Sequence, residues 1–194
     1  MTARNPDHPV HDLIVNRWSP RSFDRSEMPD ADLKTILEAA RWAPSAFNIQ
    51  PWRFVYARRG GEGWDTLLNL LNPFNLDWAQ HASALLFLFS DTEVDGKDGK
   101  PSRKSGTHSF DAGAAWANSA LQATEMGYHT HAMAGIKRDE IHDQLGVPPR
   151  FKAEIAIAIG KRSRVEDLPE TLRAREVPSA RKPLDEIAFE GTWS

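Results

Sequence analysis

Between Glu154 and Ile159, Ile155, Ile157 and Ile159 interleave with Ala156 and Ala158. Side chains on a strand point alternately to its two faces, so both faces here are apolar and one of them is small. Such a strand belongs in the centre of a sheet covered on both sides, and its alanine face predicts a helix pressed against it. The chain offers helices for that purpose. Leu33, Ile36, Leu37 and Ala40 recur with helical spacing between Pro29 and Trp42, with Asp30 placed to cap the start. Phe110 to Met126 holds six alanines, sets Phe110, Ala114, Ala117 and Leu121 on one stripe, and stops at Gly127. Shorter helices are expected over Glu62–Leu71, around Asn75–Gln80 and over Lys137–Leu145, the last ended by Gly146. Trp52–Arg58 and Ser83–Ser90 read as further strands. Helices interspersed with separated strands predict an α+β fold or three-layer sandwich in one domain.

Two stretches resist this pattern. Asp91 to His108 has four acids, four Lys or Arg and three glycines without an apolar period, which predicts a solvated loop and a candidate lid. The last 34 residues contain Pro169, Pro178 and Pro183, seven Lys or Arg and seven acids. A tail with no core of its own is expected to lie along another surface.

The chain of 194 residues has no cysteine, so thiolate nucleophiles, disulfides and cysteine-held metal are excluded, and any redox chemistry must belong to a bound group. Its 24 Lys and Arg against 27 Asp and Glu give no general attraction to nucleic acid. The longest apolar run, Ala84–Phe89, is too short to cross a membrane, and the N-terminus lacks a signal-peptide pattern, so a cytoplasmic location is expected.

Four segments could carry chemistry. Arg17-Trp18-Ser19-Pro20-Arg21-Ser22-Phe23 can turn guanidiniums and hydroxyls on one anion, although alone it also reads as a solvated basic turn. In Ala43-Pro44-Ser45-Ala46-Phe47-Asn48-Ile49-Gln50-Pro51-Trp52, prolines stiffen a loop whose polar groups could rim a heterocycle while Phe47 or Trp52 covers its face; a plain helix-to-strand connection fits as well. His129-Thr130-His131-Ala132-Met133-Ala134-Gly135 ends in small residues that let backbone approach a planar ligand. A metal held by Glu125, His129 and His131 is disfavoured because Gly127 breaks the helical register, and His131 reads better as a packed side chain. Ser179-Ala180-Arg181-Lys182-Pro183-Leu184 is a basic patch whose meaning depends on whether the tail folds back toward Arg17.

Together, Arg17–Phe23, Ala43–Trp52, the Asp-Ala-Gly-Ala-Ala-Trp-Ala-Asn stretch at 111–118, Gly127–Gly135 and Arg181–Leu184 resemble the FMN-dependent nitroreductase family, in order and spacing, over residues 11 to 193. The resemblance implies a three-layer α-β-α sandwich and an intertwined homodimer. In it the Phe110–Met126 helix forms the close-packed interface core, and a C-terminal arm from about residue 161 to 194 wraps the partner. It implies FMN at the interface, with Arg17, Ser19 and Arg181 on the phosphate, Lys182 assisting, and Trp18 beside them. Arg21 and Asn75 would meet the pyrimidine edge, and Met133, Ala134 and Gly135 would turn backbone toward flavin N5. Pro44, Ser45, Ala46 and Asn48 would come from the other chain. It further implies hydride transfer from NAD(P)H to nitroaromatic, quinone or enone acceptors in ping-pong order, with no side chain acting as acid, base or nucleophile. Trp78 stands where some members carry a lysine, putting an aromatic surface near the ring in place of a cation. Rival readings are a metabolite dehydrogenase without nicotinamide, a non-catalytic flavin-binding module, and a metal-dependent hydrolase using His108, Asp111, His129 and His131.

Overall fold

A computed structural model describes residues 4–96 and 98–193; Lys97 of the polar loop and the extreme ends of the expected 1–194 domain lie outside them. Helix α1 (Asp12–Asn16) precedes α2 (Asp30–Arg41), and strand β1 (Trp52–Arg58) leads into α3 (Trp64–Asn69) and α4 (Pro73–Ala79). Strands β2 (Ala84–Asp91), β3 (Glu93–Val94) and β4 (Arg103–Lys104) come next, followed by the long helix α5 (His108–Glu125). The chain continues through β5 (His129–Met133), α6 (Arg138–Leu145), β6 (Phe151–Gly160) and α7 (Glu170–Arg173). The main sheet is antiparallel, in the order β1-β2-β6-β5, so the Ile/Ala strand is interior as its two apolar faces require.

Register explains both layers. Ala84, Leu86 and Leu88 of β2 pair with Ile159, Ile157 and Ile155, and this face is covered by Leu33, Ile36 and Ala40 of α2 with Ala112, Ala115 and Ala123 of α5. On the other face Leu85, Phe87 and Phe89 pair with Ala158, Ala156 and Ala153 beneath Leu67, Trp78, Ile141 and Leu172. The alanine-rich helix therefore lies on the isoleucine face, not the alanine face. Small residues stand opposite large ones in each layer, and the strand's alanines make room for Phe87 and Trp78. Ala156→Val should destabilise the fold by about 1–3 kcal/mol through overpacking, read from urea denaturation.

Several local expectations are corrected. Pro29, not Asp30, holds the N-cap position of α2; Asp30 is helical and pairs with Lys34 at 2.7 Å. The stripe Phe110, Ala114, Ala117 and Leu121 is the less buried one, with Phe110 81% exposed and Ala114 only partly covered, and Ala112, Ala115, Ala120 and Ala123 make the buried stripe. The 91–108 segment is partly ordered: β3 and β4 form a short hairpin, and Arg150 grips Asp91 (2.6 and 2.8 Å) and Asp95 (2.9 Å) at its base. The tail is not all arm. Leu168 and Leu172 are buried in the chain's own core and Glu176 against the Arg21 and Ser22 amides, whereas from Val177 onward no described residue is buried.

Candidate functional site

The segment 17–23 runs from the end of α1 toward the β-bridge between Phe23 and Arg162. Its shape is set from the far end of the chain. Glu176 accepts from the backbone N–H groups of Arg21 (2.9 and 3.0 Å) and Ser22 (3.0 Å), and Ser22 Oγ donates to the Arg164 carbonyl at 2.6 Å. With its amides tied down, the segment opens one wall of a cavity of about 290 Å³ lined by Arg4, Arg17, Trp18, Ser19, Arg21, His131, Arg175, Val177 and Ser179.

The cavity is strongly cationic. Arg17 reaches only Ser19 Oγ, at 3.3 Å, and burial, reinforced by Arg4 and Arg181, lowers its pKa. Burial likewise lowers Arg21, with Arg175 adding repulsion. The Nε atoms of Arg4 and Arg21 are buried without a hydrogen-bond partner among the described residues. A buried unpaired donor costs about 1–3 kcal/mol, so the site is built to receive an acceptor. The tail does fold back toward Arg17, as the reading of residues 179–184 required, but the Arg181 guanidinium is turned onto Ala180 O (3.0 Å) and Ser179 Oγ (3.2 Å). Lys182 lies 3.7 Å from Glu186.

At one end of the cavity, His131 donates from Nδ1 to the Pro20 carbonyl at 2.9 Å. Burial drives its pKa down to about 4, so it is neutral near pH 7 and packed, as read from the sequence. Its ring lies 4.6 Å from that of Trp78, which stacks on Phe23. Trp78 is fully buried and so is no surface for a ligand; it is a floor beneath His131, with Arg21 6.0 Å from its ring. Because the folded pKa of His131 lies below the unfolded value of about 6.5, its contribution to stability is complete above that pH and lost as pH falls toward 4. The difference in unfolding free energy between the native protein and His131→Gln should change by about 3 kcal/mol across that window, measured by urea denaturation at stepped pH.

Asn75 and Gly135 meet. The Gly135 carbonyl accepts from Asn72 N (3.1 Å) and Asn75 Nδ2 (3.0 Å), and a Cβ on Gly135 would stand 2.6 Å from Asn75 Nδ2. A side chain there would push the Asn75 amide off this hydrogen bond. Met133 closes β5 and is buried, while Ala134 is exposed at the turn.

The 43–52 loop does not join this cavity within one chain. Ala46 N donates to Asp111 Oδ2 at 3.3 Å, Gln50 N donates to Ser45 Oγ at 3.0 Å, and Pro44 and Asn48 are exposed. Phe47, Asn48 and Gln50 all hold left-handed φ values of 51–56°, uncommon for non-glycine residues. Phe47 is 92% exposed and Trp52 is buried in the core, so neither covers a ligand in the single chain. Sequence reasoning missed Arg4, Arg175 and Glu176. No periodicity or motif marks them; Arg4 comes in through its bonds to the Val15 and Arg17 carbonyls, and the return of the tail brings Arg175 and Glu176 to the 17–23 segment.

Fold and cavity together define a three-layer α-β-α protein with a cavity lined by arginines. Residues 14–72 and 62–161 match the sequence profile of the Nitroreductase family, and the chain belongs to that family of oxidoreductases. A crystal structure described as an oxidoreductase containing FMN is 49% identical with a TM-score of 0.96, covering 100% of this chain and 99% of that one. A Streptococcus pyogenes protein provisionally named NAD(P)H nitroreductase Spy0809 is 26% identical over 91% of this chain and 96% of its own length. A Desulfovibrio desulfuricans protein, provisionally called a nitroreductase and solved with FMN, is 25% identical with a TM-score of 0.73, covering 97% and 100% of the two chains. Among the described residues no helix is long and apolar enough to cross a membrane.

Proposed function

We propose that this protein is an FMN-dependent NAD(P)H oxidoreductase acting as a homodimer on flat electron acceptors such as nitroaromatics, quinones and enones. The observation that carries the reading is the arginine cavity, in which the buried Nε donors of Arg4 and Arg21 have no partner among the described residues. Bound FMN would supply two-electron hydride acceptance from NAD(P)H and delivery to the acceptor, in ping-pong order. The chain's part is to bind and orient. Arg17 and Ser19 hold the phosphate, with Arg181 turning from Ser179 to join them and Trp18 walling the site. Arg21 sets a positive charge at the pyrimidine edge beside Asn75, which favours the reduced, anionic ring. Met133, Ala134 and Gly135 offer backbone, and neutral His131 offers no proton near pH 7.

The dimer reading rests on apolar surface left outside. Phe110 is 81% exposed, Ile14 on α1 is 55% exposed, and small Gly113 and Ala117 sit on the same outward side of α5. That face allows close helix approach by a second copy, which would bring its Pro44, Ser45, Ala46 and Asn48 to this cavity. The domain then divides into a body to residue 176 and an arm over 177–193, where Val177, Leu184, Ile187 and Trp193 stand exposed for the partner to cover.

Anaerobic mixing with NADH or NADPH should bleach the bound flavin, and menadione or a nitrofuran should restore it. Failure of both nicotinamides would favour a metabolite dehydrogenase, and bleaching without turnover a flavin-binding module. Sedimentation should give twice the mass of one chain.

A further inference from the structure

The cavity holds more positive charge than one phosphate needs. Arg4, Arg17, Arg21 and Arg175 line it, and Arg181 is close enough to perturb Arg4 and Arg17. Among the described residues none of the five forms a salt bridge. Glu176 is the nearby carboxylate, and its oxygens are taken by the Arg21 and Ser22 amides. A phosphate monoester brings about two negative charges and Glu176 one, which against five guanidiniums leaves about two uncompensated.

These charges divide between two ends. Arg4 Nη1 donates to the Val15 and Arg17 carbonyls (2.9 and 2.8 Å), which fixes it beside Arg17 and Ser19. Arg175 lies at the other end, near Arg21, with its guanidinium 5.7 Å from the ring of Phe74. Phe74 is half exposed and immediately precedes Asn75, the residue that touches the Gly135 turn. Arg175 therefore stands toward the reacting end, on an exposed aromatic face, where an incoming molecule would lie.

We infer that Arg175, backed by Phe74, binds a phosphate group of the incoming nicotinamide nucleotide. The inference rests on the FMN reading above. Two phosphates could serve: the diphosphate bridge common to NADH and NADPH, or the 2′-phosphate of NADPH alone. Each offers anionic oxygens to a planar guanidinium fork.

The test compares the FMN-loaded protein with its Arg175→Ala variant. Arg175 is exposed, so the variant should fold and keep stoichiometric flavin, seen in its visible spectrum. Isothermal titration with NAD+ and NADP+ and steady-state KM for NADH and NADPH should show at least tenfold weakening, with kcat within about twofold. Loss confined to NADP+ and NADPH assigns the 2′-phosphate; equal loss for both nucleotides assigns the bridge. Unchanged affinities overturn the inference, as does a variant that sheds its flavin, which would move Arg175 to the cofactor's own phosphate. A native protein that takes up no FMN would instead sink the underlying functional reading.

Discussion

Replacing Arg17 with alanine is expected to weaken FMN binding by about 10²–10³-fold, so that the purified variant is nearly colourless. Arg17 is the most committed cation of the cavity: its guanidinium is partly withdrawn from water, lies next to Ser19 Oγ, and has no carboxylate of its own among the described residues. A hydrogen bond to a charged group is worth about 1.5–3 kcal/mol, and a guanidinium fork makes two to a phosphate. Arg4 and Arg181 nearby soften the loss, which places the expectation at the lower end of that sum. Titration of apoprotein by flavin fluorescence quenching measures it directly. Arg17→Lys, which keeps the charge and loses the fork, should fall between the two. An alanine variant within threefold of the native affinity would contradict the assignment.

Glu176→Ala should lower unfolding free energy by about 3–6 kcal/mol and loosen flavin binding at the same time. The Glu176 side chain accepts from two consecutive backbone amides 155 and 154 residues away, and its removal leaves both N–H groups without that acceptor in a buried setting. Arg21 and Ser22 would then have no reason to keep their shape, and Ser179 and Arg181 would lose the anchor that brings them near Arg17. Glu176→Gln keeps the volume but exchanges an acceptor oxygen for a donor, so it should recover only part of the loss. Urea denaturation and limited proteolysis after residue 176 separate stability from anchoring. A variant as stable as the native protein would show that the segment 20–22 is held by other means.

How much of this was legible in the linear chain depended on range. β1 was readable to its end residues because Trp52–Arg58 is rich in β-branched and aromatic types that suit a pleated, half-buried surface. The ends of α5 and α6 were readable because Gly127 and Gly146 adopt the left-handed conformation that stops a helix. Which stripe of α5 meets the sheet was not legible, because small and apolar residues occupy more than one side of the helix and periodicity cannot say which side is buried. The hairpin over 93–104 was missed because Arg150, not local apolar pattern, holds its base. Arg17, Ser19 and Arg21 were legible as one polar, basic cluster since they share one short segment, and all three line the cavity. Arg4 and Arg175 were not, for each is an ordinary surface cation until the chain closes.

The residues in order were enough to determine a covered central strand, the helices available to cover it, the exclusion of thiol chemistry and the segments from which an anion site could be drawn. Each follows from local spacing or side-chain type. Which face each helix took, how far the tail stays packed on the chain's own core, and how many arginines converged on one cavity were decided only in three dimensions. Those outcomes depend on volume matching across the sheet and on hydrogen bonds such as Glu176 to Arg21, which link positions that no local pattern connects.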